Sequence, residues 1–502
     1  MLEAVLGNAS RNGSDYTEAV LAAARATGVD PLDYCARLGV GDAVAMERAA
    51  HWAGYAFSGV VPQAALPMES IERLDQLAGV RTFRSTLLGR EVTFCAPRFD
   101  DLLRLAKARS ENPDLVRRLC MVPARALRTR LTHAASEQLM GEARQRLTRR
   151  WPFASADVDL PRSVRIGFLV AFVLVLAVVG AAPFYLSALL LPFVAVLLLV
   201  PAGLRVAAAF APPPREPVEP MLPDADLPVY SVLIPLRDEA GMVPLLGRAM
   251  SALDYPPEKT DIKFVVEERS TATIEAVEIL LHDPRFELVV VPDAAPHTKP
   301  KALNYAMPLV RGEHVVVYDA EDIPDRDQLR RAASRFAAEP GLDCIQAELV
   351  VDNAEENWIT ALFAAEYAGQ FGLMLPFLAR HRFPMPLGGT SNHFRTAALR
   401  ELGHWDAFNV TEDADLGVRL SRLRYRTGTL RSETNEEAPI SLSAWMVQRT
   451  RWIKGWMQTF IVHNRSARRF LTDIGWRNFL FFQIYVGSLI ISSLLHTVFL
   501  IT

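Results

Sequence analysis

Four acidic residues crowd the end of an apolar run in VVVYDAEDIPD, residues 315–325: Asp319, Glu321, Asp322 and Asp325. Like charges that close raise one another's pKa, so a positive group is expected among them. Asp319 and Glu321 offer the hard oxygen atoms that Mg²⁺ and Mn²⁺ take, usually with phosphate oxygens as co-ligands. An ordinary acidic strand-to-helix loop would show the same residues. HTKPKALNYA, residues 297–306, puts Lys299 and Lys301 at a helix start. Neither the helix dipole nor a cap asks for cations there, whereas a phosphate-bearing ligand would; solvated lysines are the plain alternative. VTEDADLGVRL, residues 410–420, sets Thr411 as a helix N-cap with Glu412 and Asp413 in the first turn. That is either a standard helix start or the seat of a general base. Read as a helix, SAWMVQRTRWIKGWMQTF, residues 443–460, lines up Trp445, Gln448, Trp452 and Trp456 on one stripe, bordered by Arg451. A guanidinium suits phosphate oxygens and an indole face suits the apolar face of a sugar ring. An amphipathic helix lying on a membrane would show the same pattern.

These groups need elements to hold them. Strand signals at 229–236, 261–268, 286–292 and 313–319 alternate with helical ones at 241–253, 271–281 and 301–310. Such alternation predicts an α/β domain with a mostly parallel sheet, whose ligands bind beyond the carboxyl ends of the strands. Asp238 and Glu239, Glu267 and Glu268, and Asp319 and Glu321 all come just after strand ends.

The remainder of the chain bounds the setting. With 502 residues, two or more domains are expected. A net charge of −3 argues against nucleic acid as the main partner. Cys35, Cys95, Cys120 and Cys344 are scattered, which reads as reduced thiols and no structural zinc. The mean hydropathy of +0.13 is high for a soluble protein, and the excess is local. Residues 166–204 carry no charge and predict a transmembrane helical hairpin at 164–208, turning near Gly180 and Pro183. Arginines flank it on both sides, so both ends are expected in the cytosol. A second apolar block predicts a membrane helix over 478–502; it runs to Thr502, which reads as a shortened chain. The first residues lack the pattern of a cleaved signal peptide. Residues 211–228 read as a Pro-rich extended linker and 229–465 as the large cytosolic region, in which 366–384 reads as an interfacial segment too short to span. Residues 1–155 form a polar, Arg-rich N-terminal region, with TFRSTLLGREVTFCAP predicting two short strands around Gly89.

In chain order, SVLIPLRDE, VVEERS, KPKALN, YDAED, GGTSNHFR, TED and QRTRW resemble the membrane-embedded family 2 glycosyltransferases of the cellulose-synthase and hyaluronan-synthase type. The resemblance implies a GT-A fold and inverting transfer from a nucleotide-diphosphate sugar, a UDP-sugar above all. It implies Asp413 as catalytic base with Glu412 beside it. Asp238, Glu239, Glu267, Lys301, Asp319, Gln448 and Arg451 would hold the donor, and Trp452 and Gly389 the acceptor. Asp319 and Glu321 would hold Mg²⁺ or Mn²⁺. The expected product is a β-linked glycan, an exopolysaccharide, made at the cytosolic face of the inner membrane by a multi-pass protein. Single addition to a lipid-linked acceptor is the alternative, and a membrane receptor or scaffold with an inactive transferase-like domain is the rival from another class. Glu267-Glu268 stands where that family has two aspartates, and Glu321 where it has a second aspartate. The N-terminal region is similar to small N-terminal domains of type II secretion ATPases, which implies a regulatory role with cyclic di-GMP or a protein as partner.

Overall fold

The computed structural model describes residues 1–7, 14–67, 74–158, 162–181, 187–212 and 220–501. They form two compact units, one of Met1–Ala143, Glu219–Ala320 and Arg326–Ala338, the other of Arg144–Val218, Glu321–Asp325 and Glu339–Thr502.

In the first unit, the N-terminal region builds a sheet from β1 (Ala56–Phe57), β2 (Leu66–Pro67), β3 (Thr82–Leu87), β4 (Arg90–Cys95) and β5 (Leu119–Met121), in the order β1-β5-β4-β3-β2. The β3–β4 hairpin turns at Leu88 and Gly89, both at positive φ, as the sequence around Gly89 predicts. Leu6, Val20, Met46, Phe99 and Met121 lie in a core cluster shared with the surrounding helices.

The same unit holds four further strands: β6 (Tyr230–Leu236), β7 (Thr260–Glu267), β8 (Phe286–Val291) and β9 (His314–Val317). They run parallel in the order β9-β6-β7-β8. Their continuous apolar runs are those of strands covered on both faces, and every residue of β7 and β9 is buried. Parallel pairing sends all four carboxyl ends to one edge. The second half of the linker is anchored: Leu222 N donates to Ser334 Oγ, and Asp224 pairs with Arg330 and Arg37 at 2.8 and 2.9 Å.

At the amino ends of these strands sits a buried knot of charge. Lys263, with no exposed surface, donates to Asp261 at 3.0 Å and to Glu287 at 2.8 Å. Arg311 donates to Asp261 at 3.0 Å. Arg128, on the N-terminal region's helix α1 (Ala124–Ala134), grips Glu287 through Nε and Nη2, each at 3.2 Å. Burial alone would raise the Glu287 carboxyl; Arg128 and Lys263 outweigh it and hold it below the usual range. Helix α2 (Lys299–Ala306), between β8 and β9, completes the elements of this unit that bear on the site.

The second unit has β10 (Ile323–Pro324), β11 (Cys344–Val351), β12 (Asn392–Arg395) and β13 (Thr427–Glu436). Here β11 pairs parallel with β13, while β10–β13 and β11–β12 are antiparallel. The catalytic-region strands are therefore purely parallel in the first unit and mixed in the second. The helices of this part that bear on the site are α3 (Trp358–His381, with a π-helical middle), α4 (Glu412–Arg422), α5 (Leu442–Asn464) and α6 (Ala467–Ile501). Two apolar helices, Arg162–Ala181 and Ser187–Phe210, precede them in the chain. Among the described residues, Trp358–His381 and Ala467–Ser492 are long and apolar enough to cross a membrane. The segment read as interfacial at 366–384 thus belongs in large part to a longer helix. That helix begins upstream, at Trp358, because the Asn357 side chain caps it by accepting from Ile359 N and Thr360 N. Helices at 162–181 and 187–210 lie where the hairpin at 164–208 is expected to cross a membrane, and its turn at 182–186 lies outside the described residues. Inside α6, Gly475 has non-helical backbone (φ 78°, ψ 163°), which divides an Arg-rich start from the apolar stretch after it.

Arg128→Ala takes two hydrogen bonds and one cation from buried Glu287 and leaves it Lys263 alone, a loss smaller than the roughly 3–5 kcal/mol of a buried charge left wholly unmatched. Arg128→Ala is therefore expected to lower the thermal unfolding midpoint of the whole detergent-solubilised chain by several degrees. A midpoint equal to wild type would show that the knot does not hold the N-terminal region to the strands.

Candidate active site

The strand ends of the first unit gather Asp238, Glu239, Glu267 and Asp319. Asp238 lies at positive φ and its carboxylate accepts from Ser270 Oγ at 2.8 Å, while Glu239 N donates to Thr273 Oγ1 at 3.1 Å. The start of the Thr271–Leu280 helix thereby fixes the loop after β6. Of the two lysines at the start of α2, Lys301 points inward: it has no exposed surface and donates to Glu267 at 3.0 Å and to the Ala294 carbonyl at 3.0 Å. Lys299 remains at the edge, where its ammonium pairs with Asp319. The positive group expected beside Asp319 is therefore part of the protein itself. Asn304, on the same helix, donates to the Ala143 carbonyl at 2.9 Å and ties α2 to the N-terminal region.

The other acids of VVVYDAEDIPD have structural partners in the second unit. Asp322, 1% exposed, accepts from Thr390 Oγ1. Asp325 accepts from Ser432 Oγ and Glu433 N, at 3.0 and 2.9 Å, and tethers β13. Glu321 is half-buried. Gly389 sits in a loop fixed on both sides: Gly388 N donates to Gln346 Oε1 at 2.8 Å, Asn392 Nδ2 donates to the Gly388 carbonyl at 2.6 Å, and Thr390 holds Asp322.

The acidic helix start and the tryptophan helix of the second unit meet directly. A Cβ placed on Gly455 would lie 2.3 Å from Thr411 Cγ2 and 2.6 Å from Thr411 Oγ1. Only a residue without a side chain lets α5 come so near the Thr411-Glu412-Asp413 turn. Gln458, one turn on, accepts from Val410 N at 3.1 Å and donates to the Phe408 carbonyl at 2.9 Å; Asn409 donates to Thr459 at 3.1 Å. Thr411 occupies the N-cap position as expected, but its side chain makes no cap hydrogen bond. Glu412 is buried and Asp413 half-exposed, with Asp413 Oδ1 accepting from Ala414 N at 2.7 Å.

On α5, Gln448 has a buried amide oxygen without a hydrogen-bond partner among the described residues. Arg451 is exposed, and no carboxylate there pairs with it. Both groups are thus open to a ligand. Trp452 packs against Phe363, ring centroids 6.1 Å apart. The residue that organises the stripe is one the motif alone does not single out: Arg449 lies 5.3 Å from the Trp445 ring and 4.6 Å from the Trp452 ring, and grips Glu366 at 2.7 Å. Its spacing of four and three residues from the two tryptophans is the signal that could have found it.

Below the turn, α4 is braced by charge. Asp415, fully buried, accepts from Arg419 Nε at 2.7 Å and from His463 Nε2 at 3.0 Å. Burial would raise its carboxyl, but Arg419 and His463 hold it below the usual range. Burial pushes the His463 imidazole below its usual range, against the pull of Asp415. Arg422 donates to His463 Nδ1 at 3.2 Å, which leaves the ring proton on Nε2, facing Asp415. Asp406, whose carboxylate accepts from Ala156 N and Phe408 N, is pushed up to about 7 by burial and by the nearby Asp415.

The metal expected at Asp319 and Glu321 can be weighed against these donors. Among the described residues no three or more of His, Cys, Asp and Glu are grouped as a metal site. Mg²⁺ and Mn²⁺ need only one or two carboxylates when phosphate oxygens and water complete the shell. Asp319 and Glu321 have carboxylate oxygens of the kind these ions take, and a bound metal would have to share Asp319 with Lys299.

The Glycosyl transferase family group 2 profile matches residues 314–502. The beta-monoglucosyldiacylglycerol synthase of Synechocystis is 25% identical over 242 residues, 47% of this chain and 49% of its own length. The UDP-forming cellulose synthase catalytic subunit of Pseudomonas fluorescens is 28% identical over 264 residues, 50% of this chain and 34% of its own length. The chain thus spans about half the length of the first relative and a third of the second. Among solved structures, the mannosyltransferase PcManGT from Pyrobaculum calidifontis, in complex with GDP-Man and Mn²⁺, is similar at 19% identity and a TM-score of 0.44, over 64% of this chain and 86% of its own.

This geometry leads to two expected outcomes. Gly455→Ala is expected to push the Thr411–Asp413 turn aside and lower sugar transfer about tenfold or more, since small misplacements of a catalytic group cost that much; transfer at the wild-type rate would show that the close contact is dispensable. Asp406 binds its proton more tightly folded than unfolded, so its contribution to stability is present at low pH and is lost as pH rises from the usual carboxylate value of 3.8 through about 7. Asp406→Asn is expected to flatten the fall in melting temperature between those values, and an unchanged slope would assign it to another group.

Proposed function

We propose that this protein is an inverting glycosyltransferase of the membrane surface, moving a sugar from a nucleotide-diphosphate donor, a UDP-sugar, to the end of a β-linked glycan. The observation that carries the reading is the seating of the Thr411-Glu412-Asp413 turn on the helix that bears Gln448, Arg451 and Trp452. A base and groups suited to phosphate and sugar are thereby fixed on one rigid support. In the reaction, the acceptor hydroxyl gives its proton to the Asp413 carboxylate. Its oxygen bonds to the anomeric carbon as the bond from that carbon to the diphosphate oxygen breaks on the opposite face. Glu412 backs Asp413 from the buried side of the turn.

Arg451 and Gln448 would meet the departing diphosphate, a guanidinium being suited to two of its oxygens at once. Trp452 and the loop at Gly389 would receive the acceptor sugar. Asp238 and Glu239 would face the nucleoside. Glu267 would do so with its charge already matched by Lys301, so that Lys301 acts on the donor through Glu267. Asp319 and Glu321 would hold Mg²⁺ or Mn²⁺, which offsets charge on the leaving diphosphate. The apolar helices support a multi-pass protein of the cytoplasmic membrane with its catalytic region in the cytosol, and the hairpin at 164–208 belongs to that proposal. The N-terminal region, tied to α2 through Asn304, is suited to a regulatory role with cyclic di-GMP or a protein as its ligand.

Single addition to a lipid acceptor is the second reading, and it draws on the likeness to beta-monoglucosyldiacylglycerol synthases. Purified protein in lipid nanodiscs, given a panel of nucleotide sugars with Mg²⁺ or Mn²⁺ and either oligosaccharide or diacylglycerol acceptors, separates the two by product size. Asp413→Asn is expected to abolish transfer, by about 10³-fold or more, with an unchanged melting temperature. Transfer that persists in this variant would refute Asp413 as the base, and wild-type protein inactive with every donor would favour a receptor or scaffold.

A further inference from the structure

The brace beneath the acidic turn ends at a pocket for which sugar transfer has no use. Its walls include Trp151, Phe153, Arg419, Arg422, Arg469 and Asp473. Two guanidinium groups lie on the Phe153 ring, Arg422 at 4.5 Å and Arg469 at 3.6 Å from its centroid. Asp473 accepts from Arg422 Nε and Nη2 at 2.9 and 2.7 Å and so balances that charge. Arg419 is 2% exposed; its Nε goes to Asp415 and its Nη1 to the Leu402 and His404 carbonyls. Its buried Nη2 has no hydrogen-bond partner among the described residues. Arg469 is exposed, and no carboxylate there pairs with it.

Asp415 thus matches Arg419 and Asp473 matches Arg422, which leaves Arg469 as the guanidinium of the pocket without a carboxylate, and one buried donor, Arg419 Nη2, unmet. A buried donor left without a partner costs free energy, so the site is built for an acceptor. An anion with several oxygens answers both the charge and the open donor, and phosphate is the anion that guanidinium groups bind best. The location narrows its source. Arg469 and Asp473 lie in the first turns of α6, ahead of the break at Gly475. The apolar part of a helix long enough to cross a membrane comes next, with Trp476 74% exposed at the boundary. Basic pockets beside the cytosolic ends of membrane helices take lipid headgroups, and exposed tryptophan marks that level of the bilayer.

We propose that this pocket is a phosphate-binding subsite and that the phosphate belongs to the headgroup of an anionic phospholipid. Free inorganic phosphate has the same binding chemistry, and the test separates the two. The full chain, delipidated in detergent, is offered phosphatidylglycerol, and retained lipid is counted by native mass spectrometry. One lipid is expected on wild type. Arg469→Ala, an exposed change that leaves the fold intact, is expected to retain it about fivefold less. Arg468→Ala, on the same helix but outside the pocket wall, is expected to match wild type. Equal retention by wild type and Arg469→Ala overturns the lipid assignment, and so does an equal loss in Arg468→Ala, which would mark diffuse surface charge. In the second arm, inorganic phosphate is compared with chloride at matched ionic strength. A rise in melting temperature in wild type but not in Arg469→Ala, without selective lipid retention, assigns the pocket to free phosphate; no difference in either arm removes the subsite altogether.

Discussion

The candidate site rests on a helix backbone that comes closer to the Thr411 side chain than any Cβ would permit. Gly455 has nothing to interpose between α5 and Thr411, and the Gln458, Asn409 and Thr459 hydrogen bonds hold the approach once it is made. A catalytic carboxylate on a free loop would wander through many orientations, and ordering it on each turnover would cost conformational entropy. Here that ordering is completed in folding. α4 is also pressed against the neighbouring chain at Gly417, where a Cβ would stand 2.0 Å from the Met385 carbonyl oxygen, so the turn is fixed from two sides by glycine. Val418 of α4 then shares an apolar cluster with Phe470 and Phe482 of α6, which links the helix that starts at the Thr411 turn to a membrane-length helix.

Charge burial obeys one rule throughout. Each deeply buried ion has opposite charges or a polar partner at hydrogen-bond distance: Lys263 between Asp261 and Glu287, Lys301 on Glu267, and Asp415 between Arg419 and His463. Isolated, any of them would cost too much to desolvate in the charged form. Among the groups left open, Gln448 Oε1 and the Arg451 guanidinium stand on the helix that the sequence marks most strongly.

Much of this is legible in the sequence because the relevant signals are local. Strand and helix alternation from Tyr230 to Val317 arises from runs of β-branched residues broken by turns, and the structure has those elements within a few residues. The long helix at 442–464, and Thr411 at the head of another, are equally plain from periodicity and capping. What sequence does not convey is pairing at a distance. Lysine at a helix start reads as solvated or ligand-binding until Glu267 is seen beside Lys301. Asp322 and Asp325 read as members of one acidic site until Thr390 and Ser432, far along the chain, are found to hold them. Asp224 and Leu222 read as linker because the partners that fix them, Arg330 and Ser334, lie more than a hundred residues away.

The grip of Arg128 on Glu287 has a further meaning for how such a chain is put together. Residues ahead of catalytic strands are commonly pictured as detachable modules, exchanged without disturbing the rest of the chain. Here the module supplies two of the hydrogen bonds that hold a carboxylate in the interior of its neighbour, so cutting it away leaves Glu287 to Lys263 alone and uncovers a buried ionic centre rather than a finished surface.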